Sequence, residues 1–404
     1  MYTRLFKKAE LVALHSSAPL LPEREQFLLS MESLGCKKST LTRIARVLLF
    51  AVRNFSEQPL QITSEQLRTA AKGFRCNSSC NETRFVSILT RWYRFLGCMQ
   101  EPVPNRPAFA GMIDDFSNWL KQERGLSLKS IQTYGWHINE FLRWYWPSKS
   151  SISSVRLEDI DAYLGSKRTL WSRKTMCSSA ASLRGFFRHA VKRGWCIANI
   201  ADGIESPPSY SHENIPLGPE WDDVSRLLAA LESDKVRDIR DRVIIMLCAI
   251  YGFRSSEVTQ LKIEDIDWER NCIMIWRPKQ LRKQIYPLLP VLGNALIKYL
   301  REARPKSIQR ELFLTLRAPF RPISTGVLRH AISTRLKKWN IHSPRRGPHG
   351  LRHACATHLV QQGFSLKEIG DHLGNRSSSA TMVYAKVDLP SLRKVAILPY
   401  GGGL

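Results

Sequence analysis

Apolar residues recur at helical spacing along most of the chain, in three stretches separated by proline-rich breaks. In the middle stretch Phe116, Trp119 and Leu120 share one i, i+3, i+4 face, and Ile138, Phe141 and Leu142 share the next. In the last stretch residues 239–251 read as a buried helix carrying Ile244, Ile245, Leu247 and Ile250, stopped at Gly252. Residues 272–276 and 284–288 alternate around a basic turn and predict a small hairpin. Helices are expected at 291–303, 325–339, 351–362, 366–373 and 378–386. The breaks are Glu101-Pro-Val-Pro-Asn-Arg-Pro and Ser206-Pro-Pro-Ser-Tyr-Ser-His, both linker-like in composition. The pattern therefore predicts a mainly α fold with a small β-sheet, organised as residues 1–105, 106–206 and 214–398, with a short tail at 399–404.

The first two stretches repeat one plan. Ser39-Thr-Leu-Thr-Arg and Ser130-Ile-Gln-Thr-Tyr each precede an apolar helix. Ile62-Thr-Ser-Glu-Gln-Leu and Val155-Arg-Leu-Glu-Asp-Ile each place an acid in a first helical turn. Ile88-Leu-Thr-Arg-Trp-Tyr-Arg-Phe-Leu echoes Leu183-Arg-Gly-Phe-Phe-Arg-His-Ala-Val, and the offset stays between 91 and 95 residues. The first stretch reads as a duplicate of the middle one. Both interleave arginines with aromatics, which for any one residue means a core ring beside a wet cation, and for the set a track for duplex phosphates.

Charge sharpens this picture. Sixty-one Lys and Arg oppose thirty-five Asp and Glu in 404 residues, a formal +26. Self-repulsion of that size is relieved by a polyanionic partner, nucleic acid being the natural candidate and a membrane surface the rival. No stretch approaches the roughly 20 apolar residues of a membrane-spanning helix, and the opening Met1-Tyr-Thr-Arg-Leu-Phe-Lys-Lys lacks a signal-peptide core. The expected location is cytoplasmic. The nine cysteines lack a disulfide pattern. Cys76, Cys80 and Cys98 form no convincing metal set, because Cys-x3-Cys lacks a second close pair or histidines.

Three small motifs carry candidate chemistry, and each alone is ordinary. His349-Gly-Leu-Arg352 sets an imidazole and a guanidinium side by side at a helix start, where free N–H groups favour an anion. Gly252-Phe-Arg254-Ser-Ser-Glu257 offers an arginine with a carboxylate three residues on to hold it. Tyr384 sits in Ala380-Thr-Met-Val-Tyr-Ala-Lys near the end of the chain. Their order is what informs: Arg254 lies 98 positions before Arg352, Tyr384 lies 32 after it, and between the arginines comes the hairpin Arg277-Pro-Lys279-Gln-Leu-Arg-Lys-Gln-Ile-Tyr-Pro287.

In that order the chain resembles the tyrosine recombinase (phage integrase) family. Leu351-Arg-His-Ala-Cys-Ala-Thr-His-Leu and Thr381-Met-Val-Tyr-Ala-Lys-Val extend the likeness. It covers the third stretch throughout, and the middle stretch resembles the family's helical core-binding domain; the first lies outside the minimal family plan. The resemblance implies catalytic residues Arg254, Lys279, His349, Arg352 and Tyr384, with Lys279 preferred over Lys283 because it stands eight residues before Pro287. One position departs. Leu373-Gly374 is followed by Asn375, where the family carries His or Trp; His372 is close but three positions early.

The implied reaction is strand transfer at phosphorus through a 3′-phosphotyrosyl intermediate, and each residue type suits its part. Arg254 and Arg352 would neutralise the non-bridging oxygens bidentately, with Glu257 holding Arg254. Tyr384 is the nucleophile, and its phenol, ordinarily ionising near 10, would need the arginines and a base, His349. Lys279 would protonate the leaving 5′-hydroxyl, and Asn375 would donate an N–H to a phosphate oxygen. The phosphotyrosyl bond conserves energy, so no cofactor or metal is expected, in keeping with the lack of a phosphate-binding Gly-x4-Gly-Lys loop. The family further implies a clamp on DNA, a homotetramer on two DNA sites, alone or beside related recombinases, and integration or excision of a mobile element. Two rivals explain less. A non-catalytic helix-turn-helix protein, suggested by residues 366–381, leaves Arg254, Lys279 and Arg352 as coincidences. A type IB topoisomerase shares the chemistry but not the paired helical regions.

Overall fold

The computed structural model describes residues 1–54, 62–73, 82–100, 106–149, 151–197, 199–208, 218–277, 282–375 and 379–387. Lys279, Cys76, Cys80 and the tail at 399–404 lie outside them. Among the described residues the protein is mainly α-helical with two small sheets. It divides into two compact units, one formed by Met1–Glu101 with Asn214–Leu404, the other by Pro102–Glu213. The first and third stretches of the sequence thus share one unit.

In the larger unit the N-terminal part comprises α1 (Tyr2–Leu5), α2 (Ala9–Ser16), α3 (Leu21–Ser33), α4 (Lys38–Asn54), α5 (Ser64–Gly73) and α6 (Glu82–Phe95). A parallel pair, β1 (Ile62–Thr63) and β2 (Met99–Gln100), ties the start of α5 to the chain beyond α6. Helix α6 buries Phe85, Leu89, Trp92 and Tyr93, spaced to form one stripe. This part meets residues 214–404 where the Phe320 N–H donates to the Leu34 carbonyl at 2.8 Å and Ala318 packs on the N-terminal core. Gly35 makes that contact possible, having φ +82° and standing where a Cβ would lie 2.2 Å from the Phe320 ring.

The smaller unit contains α7 (Ala110–Gln122), α8 (Leu128–Tyr145), α9 (Leu157–Lys167), α10 (Arg173–Lys192) and the short α11 (Ile200–Gly203). Ser127 and Ser172 cap α8 and α10 by accepting the Ser130 and Thr175 N–H groups. Helix α10 buries Ser179, Leu183, Phe186 and Phe187 at the same spacing as the four residues of α6. Phe116, Ile138, Phe141, Ile160, Tyr163 and Phe186 fill the centre, each fully shielded from solvent.

The C-terminal part of the larger unit is built on α13 (Val236–Ala249), whose residues from Val243 to Ala249 are all buried. Around it lie α12 (Trp221–Ala230), α14 (Ser255–Gln260), α15 (Pro290–Lys298), α16 (Thr325–Lys338) and α17 (Pro348–Gln361), followed by α18 (Leu366–Leu373) and α19 (Ser379–Met382) with a 3-10 turn over Val383–Val387. An antiparallel sheet of β3 (Ile266–Asp267), β4 (Cys272–Arg277) and β5 (Arg282–Pro287) stands at one side, Arg277 pairing with Arg282 at the end of the ladder next to the connecting segment. The last helix expected from the sequence, 378–386, is a four-residue helix running into a 3-10 turn. It is too short to serve as a recognition helix, which weakens the helix-turn-helix rival.

Candidate active site

Arg254 occupies the cap position of α14 in extended conformation, φ −73° and ψ 151°. Glu257, one turn on, reaches back so that its Oε2 accepts the Arg254 backbone N–H at 2.7 Å and its Oε1 accepts from the guanidinium at 2.9 Å. The carboxylate is 4% exposed and also faces Arg277 Nη1 at 2.6 Å. Arg277, 1% exposed, anchors the hairpin: it donates to the Gln284 side chain and to the Tyr286 hydroxyl, while Gln284 and Tyr286 in turn donate to the Asp371 and His372 carbonyls that end α18. One buried carboxylate therefore joins the helix-start arginine to the strand that leads towards Lys279.

The Leu-Gly step of the sequence has a steric reason here. Gly252 (φ +62°) lets Leu373 pack against the turn before Arg254, since a Cβ there would stand 2.4 Å from Leu373 Cδ2. Gly374 (φ +60°) ends α18 in the left-handed conformation, with no room for a Cβ beside the Arg277 guanidinium at 2.6 Å. Its carbonyl accepts from Arg254 Nη2 at 3.1 Å.

Arg352, in the second turn of α17, donates to the Gly252 carbonyl at 2.6 Å and to Asn375 Oδ1 at 2.8 Å. Arg254 Nη2 approaches the same Asn375 oxygen at 3.4 Å. Two guanidinium groups thus converge on one neutral acceptor, and burial, then the Arg254 charge, brings Arg352 down to about 10. The sequence alone suggests an Asn375 N–H for a phosphate oxygen. In the structure its oxygen takes the two arginines and its N–H donates to Thr381 Oγ1 at 2.8 Å, tying the site to the helix that precedes Tyr384. His372 points elsewhere, its Nε2 donating to the Ile250 carbonyl at 3.1 Å.

Tyr384 is 3% exposed and packs among Cys355, Ala356, Val360, Ile369 and Leu373. Burial raises its phenol above the ordinary value, opposed by Arg352, Arg345 and Arg254. Its hydroxyl lies 3.0 Å from Nδ1 of His353, against whose ring His349 stands edge-on at 4.4 Å. His353, like Arg277 and Thr381, stands inside a sequence motif that gives it no role. Its spacing of one helical turn from His349 is the signal that could have found it. Five of the seven expected residues, Arg254, Glu257, Arg352, Asn375 and Tyr384, are brought together with His349 beside them; Lys279 lies outside the described residues.

The residues of this site fall within a match to the phage integrase family over residues 220–389, and residues 113–194 match that family's N-terminal SAM-like domain. A protein of Sinorhizobium fredii named as an integrase/recombinase, y4rA, is 33% identical over 300 residues, which is 74% of this chain and 73% of that one. The chain belongs to the phage integrase family. This integrase is also 28% identical over 290 residues to the tyrosine recombinase XerD of Listeria innocua, covering 70% and 96% of the two chains. Among solved structures, the XerH site-specific recombinase in a post-cleavage complex with a palindromic difH substrate shares its fold at a TM-score of 0.55 and 19% identity, over 82% of this chain and 93% of that one. A lambda integrase dimer bound to a COC' core site does so at 0.52 and 19%, over 68% and 94%.

Proposed function

We propose that this integrase cuts and rejoins double-stranded DNA at specific sites, Tyr384 forming a 3′-phosphotyrosyl link. The observation that carries the reading is the convergence of Arg254 and Arg352 on one acceptor oxygen, that of Asn375, with Tyr384 held close by. Arginine donors fixed before substrate arrives need little rearrangement as charge builds on a phosphate, which is where preorganised donors help most. A phosphate oxygen, being charged, competes well with a neutral amide oxygen for those donors.

In the reaction the Tyr384 oxygen attacks phosphorus and the bond to the 5′ oxygen breaks. Arg254 and Arg352 hold the non-bridging oxygens, His349 takes the phenol proton, and Lys279 returns a proton to the leaving 5′ oxygen. Glu257 keeps Arg254 in register. Relatives solved with DNA support duplex DNA as the partner. A homotetramer on two sites, service to a mobile element, and descent of residues 1–105 from a second copy of the core-binding domain belong to the same proposal. Tyr384→Phe and Arg254→Ala test it on a nicked suicide substrate. Both should bind DNA within a few-fold of the native protein while Tyr384→Phe forms no adduct and Arg254→Ala loses ~10²–10³ in cleavage rate. A loss confined to binding would reassign Arg254 to recognition.

A further inference from the structure

We propose that His353 is a further catalytic residue, a neutral imidazole whose Nδ1–H donates to the Tyr384 oxygen and stabilises the phenolate, with Arg345 fixing its tautomer. The inference rests on Tyr384 as nucleophile. The geometry assigns the proton. Arg345 Nη1 donates to His353 Nε2 at 3.3 Å, and guanidinium has donors only, so Nε2 must carry the lone pair. In a neutral ring the one hydrogen then sits on Nδ1, which faces Tyr384 Oη at 3.0 Å. An imidazole so placed cannot accept the phenol proton through Nδ1. It stabilises the oxygen once that proton has gone.

Its surroundings keep it neutral. Burial foremost, then His349, Arg345 and Arg352, bring His353 down to about 4. The charged and titratable neighbours of the Tyr384 oxygen, Arg352, Cys355, Arg345 and Arg254, are otherwise cations or a thiol that burial pushes up to about 12. In the transfer step the phenol O–H bond breaks and its proton leaves to His349. The Tyr384 oxygen–phosphorus bond forms, phosphorus to 5′ oxygen breaks, and the 5′ oxygen takes a proton from Lys279. The His353 Nδ1–H stays on nitrogen throughout. Arg345 acts through His353 and is a positioning residue.

The test is the pH dependence of adduct formation on a suicide substrate, with the tautomer read directly by NMR of the full chain labelled with ¹⁵N-histidine. His353→Leu removes the donor and should slow adduct formation ~10²-fold at neutral pH, moving its alkaline limb upward. His353→Asn, whose amide N–H can stand near the Nδ1 position, should restore the rate to within about tenfold and keep the native limb. Arg345→Met frees the ring to change tautomer, so its rate should fall and its profile change while DNA affinity holds. The His353 signals of the native protein should show a protonated Nδ1 and a bare Nε2, a result independent of how any variant folds. A protonated Nε2, or an Asn variant as slow as Leu with a new acidic limb, overturns the donor role and makes His353 a base. An unmoved pH profile in His353→Leu overturns it as well. An adduct surviving Tyr384→Phe would instead strike the underlying reading.

Discussion

Glu257→Gln tests the buried bridge between the helix-start arginine and the hairpin. The substitution keeps the shape of the side chain but removes the charge between Arg254 and Arg277. Arg277 is the more vulnerable of the two: it is 1% exposed, meets Glu257 at 2.6 Å, and retains only neutral partners, Gln284 and Tyr286. Breaking one side of a buried pair costs ~3–5 kcal/mol, and the two neutral hydrogen bonds place this case near ~3. Arg277→Met should cost ~2–3 kcal/mol, because Glu257 keeps the Arg254 guanidinium at 2.9 Å and its backbone N–H at 2.7 Å. In the double variant neither charge is stranded, so the cost falls below the sum by ~2 kcal/mol. Urea unfolding of the full chain, followed at the transition of the larger unit, measures the cycle. Additivity within ~0.5 kcal/mol would refute the coupling, and the Leu-Gly step would then be a packing device alone.

Three further outcomes follow from the same geometry. Asn375→Asp sets a carboxylate between Arg254 and Arg352 that competes with the phosphate far better than a neutral amide oxygen, so cleavage should fall well below that of Asn375→Ala, which removes the competing oxygen; single-turnover rates decide the order. Gly374→Ala forces a Cβ into the Arg277 guanidinium and should cost more, in thermal melts, than the ~1–2 kcal/mol of a left-handed alanine alone, which Gly363→Ala measures at φ +85° in open space. His15 and His353 both sit at about 4, burial first and neighbouring charges after it. Each folded value lies below the ordinary 6.5, so the unfolded chain binds more protons between those limits. Stability is therefore full above about 6.5 and lost as pH falls towards about 4, roughly 3 kcal/mol for each imidazole. Replacing His353 with Asn should flatten that slope in urea midpoints measured from pH 7 to 4.

The helices and the hairpin are legible because burial imposes its period on the residues themselves, as in Phe116 and Leu120 or Ile138 and Phe141. The site is legible through order, since Arg254, Arg352 and Tyr384 keep motif neighbours that packing demands: Gly252 for Leu373, Glu257 for the Arg254 cap, Gly374 for Arg277. What stays hidden depends on three-dimensional closure. Arg277 reads as one more cation of a basic turn, and only its enclosure beside Glu257 reveals a strut. Asn375 reads as a donor when one side chain is considered alone, whereas two arginines with no acceptors of their own claim its oxygen. His353 escapes notice because His349 fits the motif; its spacing of one turn puts it on the same face, but only the folded chain says which ring meets Tyr384. Residues 1–101 meet the C-terminal part of their unit at contacts such as Gly35 with Phe320, some 285 positions apart, beyond the reach of periodicity.

The central claim is the covalent bond to Tyr384. The most direct measurement incubates the full chain with nicked fragments of its source genome, recovers protein-linked DNA under denaturing conditions, and maps the modified peptide by mass spectrometry while sequencing the attached strand. The account predicts one linkage, on Tyr384, to the 3′ phosphate of a recurring sequence, and none with Tyr384→Phe. A linkage on any other residue, or the same yield from Tyr384→Phe, would contradict it.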